Sequence, residues 1–285
     1  TIFEFKSTVF NTSLAPVGMM TLKICPDFLA HCRKYIKKDV ITITGTNGKS
    51  TTSGIIAHIL EVANQNVIHN LKGANMLTGV ANVFALSVKP FTRFDYAVIE
   101  SDEAYLTKLY DYMPSDYLVV TNLFRDQLDR YGELNTTAGF IKNAIDKNPN
   151  LKLILNADDP LVATFDRTKY AVYYGFENVE YDCNYEHKSN APAEAFNCPC
   201  GEPLEYSKQF MAQEGHYYCS KCGYKRHQCN YPAIKDAKKQ ALENIDLMKY
   251  KLERQFRKFN NMVKSKKLLK AKELEEMDDE YNCEN

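Results

Sequence analysis

The chain has 285 residues, of which 45% are hydrophobic and 25% charged, and its formal net charge at pH 7 is zero. That length suits one large domain or two ordinary ones, and the lack of a basic excess argues against a nucleic-acid-binding protein. No apolar run approaches the ~20 residues that a transmembrane helix needs, and the N-terminus lacks the apolar segment of a signal peptide. We therefore expect a soluble, cytoplasmic protein with no transmembrane segment and no specific nucleic-acid partner.

Apolar runs rich in β-branched and aromatic residues alternate with helical patterns through the first two thirds of the chain. The runs are apolar on both faces, which is typical of a mostly parallel sheet covered by helices, so we predict a doubly wound α/β fold. Strands are predicted at 40–44, 66–70, 95–100, 116–122, 151–156 and 170–176, and helices at 27–37, 50–64, 76–86, 102–111, 136–147 and 159–165.

The composition changes twice after the last predicted strand. Six of the nine cysteines lie in 183–232. Beyond this, apolar residues recur at three- and four-residue steps from Leu242 to Phe259, which predicts a helix. Basic residues and then acidic residues dominate the end of the chain, so we predict a solvated helical tail. The alternative is a helix that binds a partner or a membrane surface. The predicted organisation is a lead-in at 1–38, a central α/β domain at 39–182, a cysteine-rich insertion at 183–232 and a charged helical tail at 233–285.

The segment "GTNGKST" follows the first predicted strand and opens a helix, which is the context of a phosphate-binding loop. Gly45 and Gly48 would let the backbone approach an anion, Lys49 would reach the β- and γ-phosphates of a nucleotide, and the Ser50 hydroxyl would bind Mg²⁺. The usual longer pattern has glycine where this chain has Ile43. The predicted nucleotide-binding residues of the loop are Gly45, Thr46, Asn47, Gly48, Lys49, Ser50 and Thr51.

Four cysteines form two close pairs, Cys198 with Cys200 and Cys219 with Cys222. Two pairs separated by about twenty residues indicate a zinc ribbon, and four thiolates would complete the tetrahedral shell of a structural Zn²⁺. The first pair is one residue shorter than the usual C-x-x-C, so another cysteine, Cys183 or Cys229, is an alternative ligand.

Three further motifs follow the loop in order: "VIESDEAYL" at 98–106, "TNLFRDQLDRYGEL" at 121–134 and "LNADDP" at 155–160. Together with the loop, they resemble the Mur ligase family. The resemblance implies that Glu100 binds Mg²⁺ and is catalytic together with Lys49, that Asn156 contacts adenine, and that Asn75, in "KGANMLTGVAN" at 72–82, faces the substrate.

Gln127, in place of the family's metal-binding histidine, and the cysteine-rich insertion resemble the branch of this family that amidates lipid II. This resemblance implies an ATP-dependent amide-forming ligase of peptidoglycan synthesis, acting at the cytoplasmic face of the membrane where lipid II is held. ATP would activate the α-carboxylate of the stem-peptide D-glutamate, and ammonia from a GatD-type glutamine amidotransferase would convert it to D-isoglutamine.

Two alternatives remain open. One is another Mur-type ligase, such as a folylpolyglutamate synthase, and the other is a non-catalytic ATP- and zinc-binding module. The second arises because the family's C-terminal domain is not recognisable after residue 233, so we expect a truncated or divergent chain. The roles of Asp102 and Glu103 are also left open between metal binding and a solvated or helix-capping position.

Overall fold

The computed structural model describes residues 16–70, 74–89, 91–124, 133–177 and 196–233. Nearly all of them belong to one compact unit, Thr1–Glu177 and Tyr181–Pro232. The second unit, Asn178–Glu180 and Ala233–Asn285, has Ala233 as its described residue. The predicted tail beyond 233, Gln127 and Cys183 lie outside the described residues.

Helices and strands alternate along the central part of the chain, as predicted. The helices are α1 (Pro16–Ile24), α2 (Phe28–Cys32), α3 (Lys49–Val62), α4 (Leu77–Ser87), α5 (Glu103–Tyr112), α6 (Glu133–Asp146) and α7 (Pro160–Ala163), with a 3₁₀ turn at Arg33–Tyr35. The strands are β1 (Val40–Thr44), β2 (Val67–His69), β3 (Tyr96–Glu100), β4 (Tyr117–Val120), β5 (Lys152–Asn156), β6 (Ala171–Phe176), β7 (Glu205–Met211), β8 (Glu214–Tyr218) and β9 (Tyr231–Ala233).

Seven strands form the main sheet in the order β2-β3-β1-β4-β5-β6-β9. The pairs from β2 to β6 are parallel, which confirms the parallel α/β prediction. After β1, the chain forms β2 and β3 on one side of β1. It then forms β4, β5 and β6 in succession on the other side. The strand order therefore reverses between β1 and β4, and the carboxyl ends of strands at such a reversal form the crevice where α/β proteins bind ligands.

Side chains from alternate strand positions pack against helices on both faces of the sheet. On one face, Ile43, Val98 and Val119 pack with Ala57 of α3. On the other, a larger core includes Ile99 and Leu118 and residues of α4, α5 and α6. Burial on both faces explains why the strands read as continuous apolar runs in the sequence.

Helix α1 is not among the predicted elements. It packs on α4 through Gly18, where an added Cβ would lie 2.0 Å from the carbonyl oxygen of Thr78. The Gly18 N–H also donates to Asn82 Oδ1 at 3.2 Å. This close approach of two backbones joins α1 to α4, and Leu22 of α1 packs against the main core.

Strands β7 and β8 form a separate antiparallel hairpin between β6 and β9. The chain leaves β6 at Glu177 and returns at Cys229, whose N–H lies 3.4 Å from Glu177 Oε1. We call residues 196–229 the ribbon. Within the described ranges, no helix combines the length and apolarity required to cross a bilayer.

Candidate nucleotide site and cysteine cluster

The loop from Gly45 to Gly48 connects β1 to α3 at the strand-order reversal. Gly45 has φ +122° and Gly48 has φ +82°, conformations that favour glycine. An added Cβ at Gly45 would lie 2.3 Å from Thr121 Oγ1, so glycine is also required for space. Because α3 begins at Lys49, the N–H groups of its first turn open onto the loop, as a phosphate site requires.

The end of β4 holds the loop in place. The N–H groups of Thr46 and Asn47 donate to the main-chain oxygen and Oδ1 of Asn122, at 2.8 and 2.9 Å. Thr46 Oγ1 accepts from the N–H of Phe124 at 3.0 Å and donates to its carbonyl oxygen at 3.1 Å. The loop is therefore shaped by contacts with residues 121–124, independently of any ligand.

Lys49 and Glu103 form an ion pair inside the loop. Lys49 Nζ lies 3.2 Å from Glu103 Oε1, and the two side chains are 14% and 12% exposed. The N–H of Gly45 donates to the same oxygen at 3.0 Å, and Lys49 also donates to the carbonyl oxygens of Gly45 and Thr46. Burial raises the pKa of Glu103, and the Lys49 ammonium opposes that shift. One carboxylate oxygen thus accepts from two groups that a phosphate oxygen would use.

The structure separates the roles of the two acids after β3. The Asp102 carboxylate accepts from the N–H of Ala104 at 3.0 Å and caps α5, whereas Glu103 turns into the loop. Sequence reasoning left Glu103 undecided. The sequence feature that could have indicated this role is the position of Glu103, one residue after a capping acid and just after the strand that pairs with β1.

Glu100 ends β3 and is 3% exposed. Its Oε2 has no hydrogen-bond partner among the described residues, and neither has Thr44 Oγ1 at the end of β1. Asn70 fixes the Glu100 backbone by accepting from its N–H and donating to its carbonyl oxygen, both at 2.8 Å. An unpaired, buried carboxylate oxygen suits a divalent cation with oxygen ligands, and the predicted partner Ser50 lies in the first turn of α3.

The remaining predicted site residues lie at the same edge of the sheet. Asn75 precedes α4, and its carbonyl oxygen accepts from the N–H of Asp102 at 3.0 Å. Asn156 ends β5 with its amide engaged: Nδ2 donates to Glu214 Oε1 and Oδ1 accepts from the N–H of Asp158, both at 3.0 Å. No motif in the sequence predicts a ribbon residue beside Asn156.

The four paired cysteines come together at the base of the ribbon. Their sulfur atoms all lie within 4.8 Å of one another, with Sγ–Sγ distances of 3.2 Å for Cys198–Cys222 and 3.7 Å for Cys200–Cys219. Tetrahedral zinc with Zn–S bonds of about 2.3 Å separates its sulfur ligands by about 3.8 Å, so this arrangement fits the metal. Cys229 lies outside the group, and Arg226 Nη2 donates to its sulfur at 3.1 Å.

The turn that holds Cys198 and Cys200 is tighter than the turn that holds Cys219 and Cys222. The N–H of Gly201 donates to the Cys198 carbonyl three residues back, at 2.8 Å, whereas Gly223 donates to Cys219 four residues back, at 3.1 Å. Both glycines have positive φ. In the longer turn, the backbone N–H groups of Cys222 and Lys221 lower the pKa of the Cys219 thiol to about 7. Tightening one turn by one residue therefore still brings both thiols of each pair into the cluster.

Comparison with known proteins agrees with this arrangement. Residues 43–202 match the Mur ligase middle domain. The chain is 38% identical over 219 residues to the lipid II isoglutaminyl synthase (glutamine-hydrolyzing) subunit MurT of Staphylococcus aureus (strain COL), covering 75% of this chain and 47% of that protein. It is 35% identical to the same subunit of Streptococcus pneumoniae (strain ATCC BAA-255 / R6), covering 76% and 48%.

A more distant relative is the UDP-N-acetylmuramoylalanine–D-glutamate ligase of Leuconostoc citreum (strain KM20), 37% identical over 42% of this chain and 25% of that protein. The chain spans about half the length of the MurT relatives it matches. With the matched domain covering more than half of its residues, the chain belongs to the Mur ligase family.

Proposed function

We propose that the chain binds Mg²⁺-ATP at the loop 45–51 and uses it to activate a carboxylate. The observation that carries this proposal is the convergence of Lys49 Nζ and the Gly45 N–H on one carboxylate oxygen, at the mouth of a strand–loop–helix junction. Both donors become available to a phosphate oxygen when Glu103 moves aside. The Lys49 charge then offsets the negative charge of the phosphoryl group in transfer.

Glu100 and Ser50 are the proposed ligands of Mg²⁺, which would add positive charge next to the transferring phosphoryl group. The unpaired Glu100 Oε2 supports this assignment. Cys198, Cys200, Cys219 and Cys222 are the proposed ligands of a structural Zn²⁺, supported by the proximity of their sulfur atoms.

By its relationship to the MurT subunits, we further propose that the carboxylate is the α-carboxylate of D-glutamate in the lipid II stem peptide. ATP transfers its γ-phosphoryl group to this carboxylate, giving an acyl phosphate and ADP. Ammonia from a GatD-type glutamine amidotransferase attacks the acyl carbon, and phosphate leaves as D-isoglutamine forms. The reaction belongs to peptidoglycan synthesis at the cytoplasmic face of the membrane, and Asn75 is the proposed substrate contact.

Reconstitution tests this function. The chain is combined with a GatD-type amidotransferase, glutamine, Mg²⁺-ATP and lipid II, and the product is analysed by mass spectrometry. We expect conversion of one carboxyl group to an amide, dependent on both ATP and glutamine. The full-length Staphylococcus aureus MurT subunit serves as the positive control.

Binding of ATP without product, while the control is active, would instead support the second candidate, an ATP- and zinc-binding module. A product carrying an added amino acid would indicate another Mur-type ligase. Absence of both binding and product would contradict the proposal.

A further inference from the structure

The tip of the β7–β8 hairpin inserts at the carboxyl edge of the main sheet. The tip consists of Ala212 and Gln213 with the first residues of β8. Gln213 is 1% exposed although it lies at a hairpin turn, where polar side chains are usually solvated. The N–H of Gly215 donates to the carbonyl oxygen of Asp158 at 2.9 Å, so the backbone of the hairpin is also joined to the segment after β5.

Gln213 contacts the segment that holds the phosphate loop. Its Nε2 donates to the carbonyl oxygen of Leu123 at 2.6 Å, while the Leu123 N–H donates to Asp159 Oδ2 at 2.8 Å. The next residue, Phe124, is the one whose N–H and carbonyl oxygen bind Thr46 Oγ1. A short path of two hydrogen bonds and the peptide unit between Leu123 and Phe124 therefore leads from the ribbon tip to the loop.

Glu214 reaches the neighbouring strand end. Its Oε1 accepts from Asn156 Nδ2, and burial together with Asp159 and Asp158 raises its pKa to about 8. In its protonated form the carboxyl group offers a donor as well as an acceptor. Such a pair of groups complements the edge of a nucleobase, which presents both kinds of atom.

Sheet geometry places these residues where the nucleoside part of a bound nucleotide would extend. The phosphates lie at the loop after β1, and β4 and β5 follow at about 4.8 Å per strand. On the opposite side of β1, the carboxylates of Glu100 and Glu103 occupy the edge. A nucleoside that extended along the β4–β5 edge, which is lined by Leu123, Asn156 and Glu214, would keep its base away from the proposed metal-binding side.

We propose that the ribbon tip is part of the nucleotide site: Gln213 is a positioning residue for the phosphate loop, and Glu214 binds the base together with Asn156. This inference rests on the proposed binding of ATP at the loop. It gives the ribbon a role in nucleotide recognition in addition to holding a metal. The Tyr224 hydroxyl, which donates to the Pro160 carbonyl oxygen at 2.7 Å, helps to keep the ribbon against the same segment.

Binding of ATP and of inorganic tripolyphosphate to the zinc-loaded chain distinguishes the two roles. Gln213→Met keeps the side-chain volume but removes the donor, and we expect it to weaken binding of both ligands about two- to tenfold. Glu214→Ala should weaken ATP by a similar factor and leave tripolyphosphate unchanged. Glu214→Gln should restore ATP binding, because an amide resembles a protonated carboxyl group in shape and in offering both a donor and an acceptor.

Lys208→Ala, an exposed position on the same hairpin, is the matched control and should bind both ligands normally. Zinc content and melting temperature are measured for every variant. Unchanged ATP binding in both Gln213→Met and Glu214→Ala would overturn the inference, as would equal losses for Glu214→Ala and Glu214→Gln. If Gln213→Met does not fold, the comparison of Glu214→Ala with Glu214→Gln tests the inference. Failure of the unmodified chain to bind ATP or tripolyphosphate would contradict the proposed function itself.

Discussion

The proposed phosphate loop and the cysteine cluster differ in how far their polar groups are already paired with other protein groups. In the loop, protein groups already satisfy one another: Glu103 accepts from Lys49 and Gly45, and the end of β4 anchors Thr46 and Asn47. In the cluster, the sulfur atoms lie mainly against one another. The loop can therefore keep its shape without a nucleotide, whereas we expect the cluster to need the proposed metal to hold its two turns together.

Distance along the chain explains this difference. The loop consists of consecutive residues between a buried strand and a helix, so local geometry and the neighbouring strand fix it. The cysteine pairs lie on two turns joined through the β7–β8 hairpin, so the cluster depends on contacts between residues 19 positions apart or more. Four substitutions, ordered by the size of the expected effect, test this contrast.

The largest effect is expected from Cys219→Ser. Structural zinc contributes on the order of 10 kcal/mol in small zinc domains, so loss of one thiolate should release the metal and unfold the ribbon. Metal analysis should find about one zinc in the unmodified chain and none in the variant, with a lower melting temperature. Cys229→Ser, outside the cluster, should keep the metal. Zinc retained at full occupancy in Cys219→Ser would show that the cluster is not the site.

Arg226→Ala tests how much the contact between the ribbon and the sheet, rather than the proposed metal, contributes to the stability of the ribbon. Arg226 Nε lies 2.7 Å from Asp158 Oδ1, and the side chains are 8% and 3% exposed. Removing one member of a buried ion pair costs about 3–5 kcal/mol because the other charge loses its partner. Denaturant unfolding measures the change.

Lys221→Ala is the matched control for that experiment. Its ion pair with Glu202 is on the ribbon but 63% and 44% exposed, so we expect a loss of at most about 1 kcal/mol. Equal losses in the two variants would mean that Arg226 does not tie the ribbon to the sheet.

Lys49→Ala should separate ligand binding from folding in the loop. Two charge-assisted hydrogen bonds to phosphate are lost, which predicts about 100-fold weaker Mg²⁺-ATP binding. The melting temperature should fall by less than in Arg226→Ala, because burial already raises the pKa of the Glu103 carboxyl group, which can be protonated once its partner is lost, and because residues 121–124 still shape the loop. Calorimetric titration measures the affinity, with the surface variant Lys37→Ala as control. Unchanged ATP binding would remove the phosphate-loop assignment.

The smallest expected effect distinguishes two roles for Glu103. If its carboxylate holds the place of a phosphate oxygen, Glu103→Gln should strengthen ATP binding several-fold, because the nucleotide no longer displaces an ion pair. Weaker binding, restored by excess Mg²⁺, would instead assign Glu103 to the metal. Asp102→Asn, which keeps an acceptor for the helix cap, should have little effect on affinity.

The sequence predicts the central sheet well because its signals are local. The strand from Val40 to Thr44 is found at its predicted bounds, and the other central strands agree within two residues. The four clustered cysteines are likewise the four predicted from their spacing.

What the sequence does not predict depends on contacts between distant residues. Glu103 meets the loop across a strand pairing, and Gln213 reaches Leu123 from 90 positions away. Glu214 binds Asn156, so the amide predicted to contact adenine is shared with a residue that no motif links to it. Composition and periodicity carry no information about such pairs.

The ribbon leaves the sheet after β6 and returns beside it, with Glu177 and Cys229 in contact at the two ends. A segment whose ends lie side by side can be gained in a single genetic insertion without reordering the strands around it. The junction thus accounts for how an α/β scaffold could acquire a cysteine-rich module intact. The tip of that module then lies over the carboxyl edge of the sheet, where its side chains contact the segments after β4 and β5.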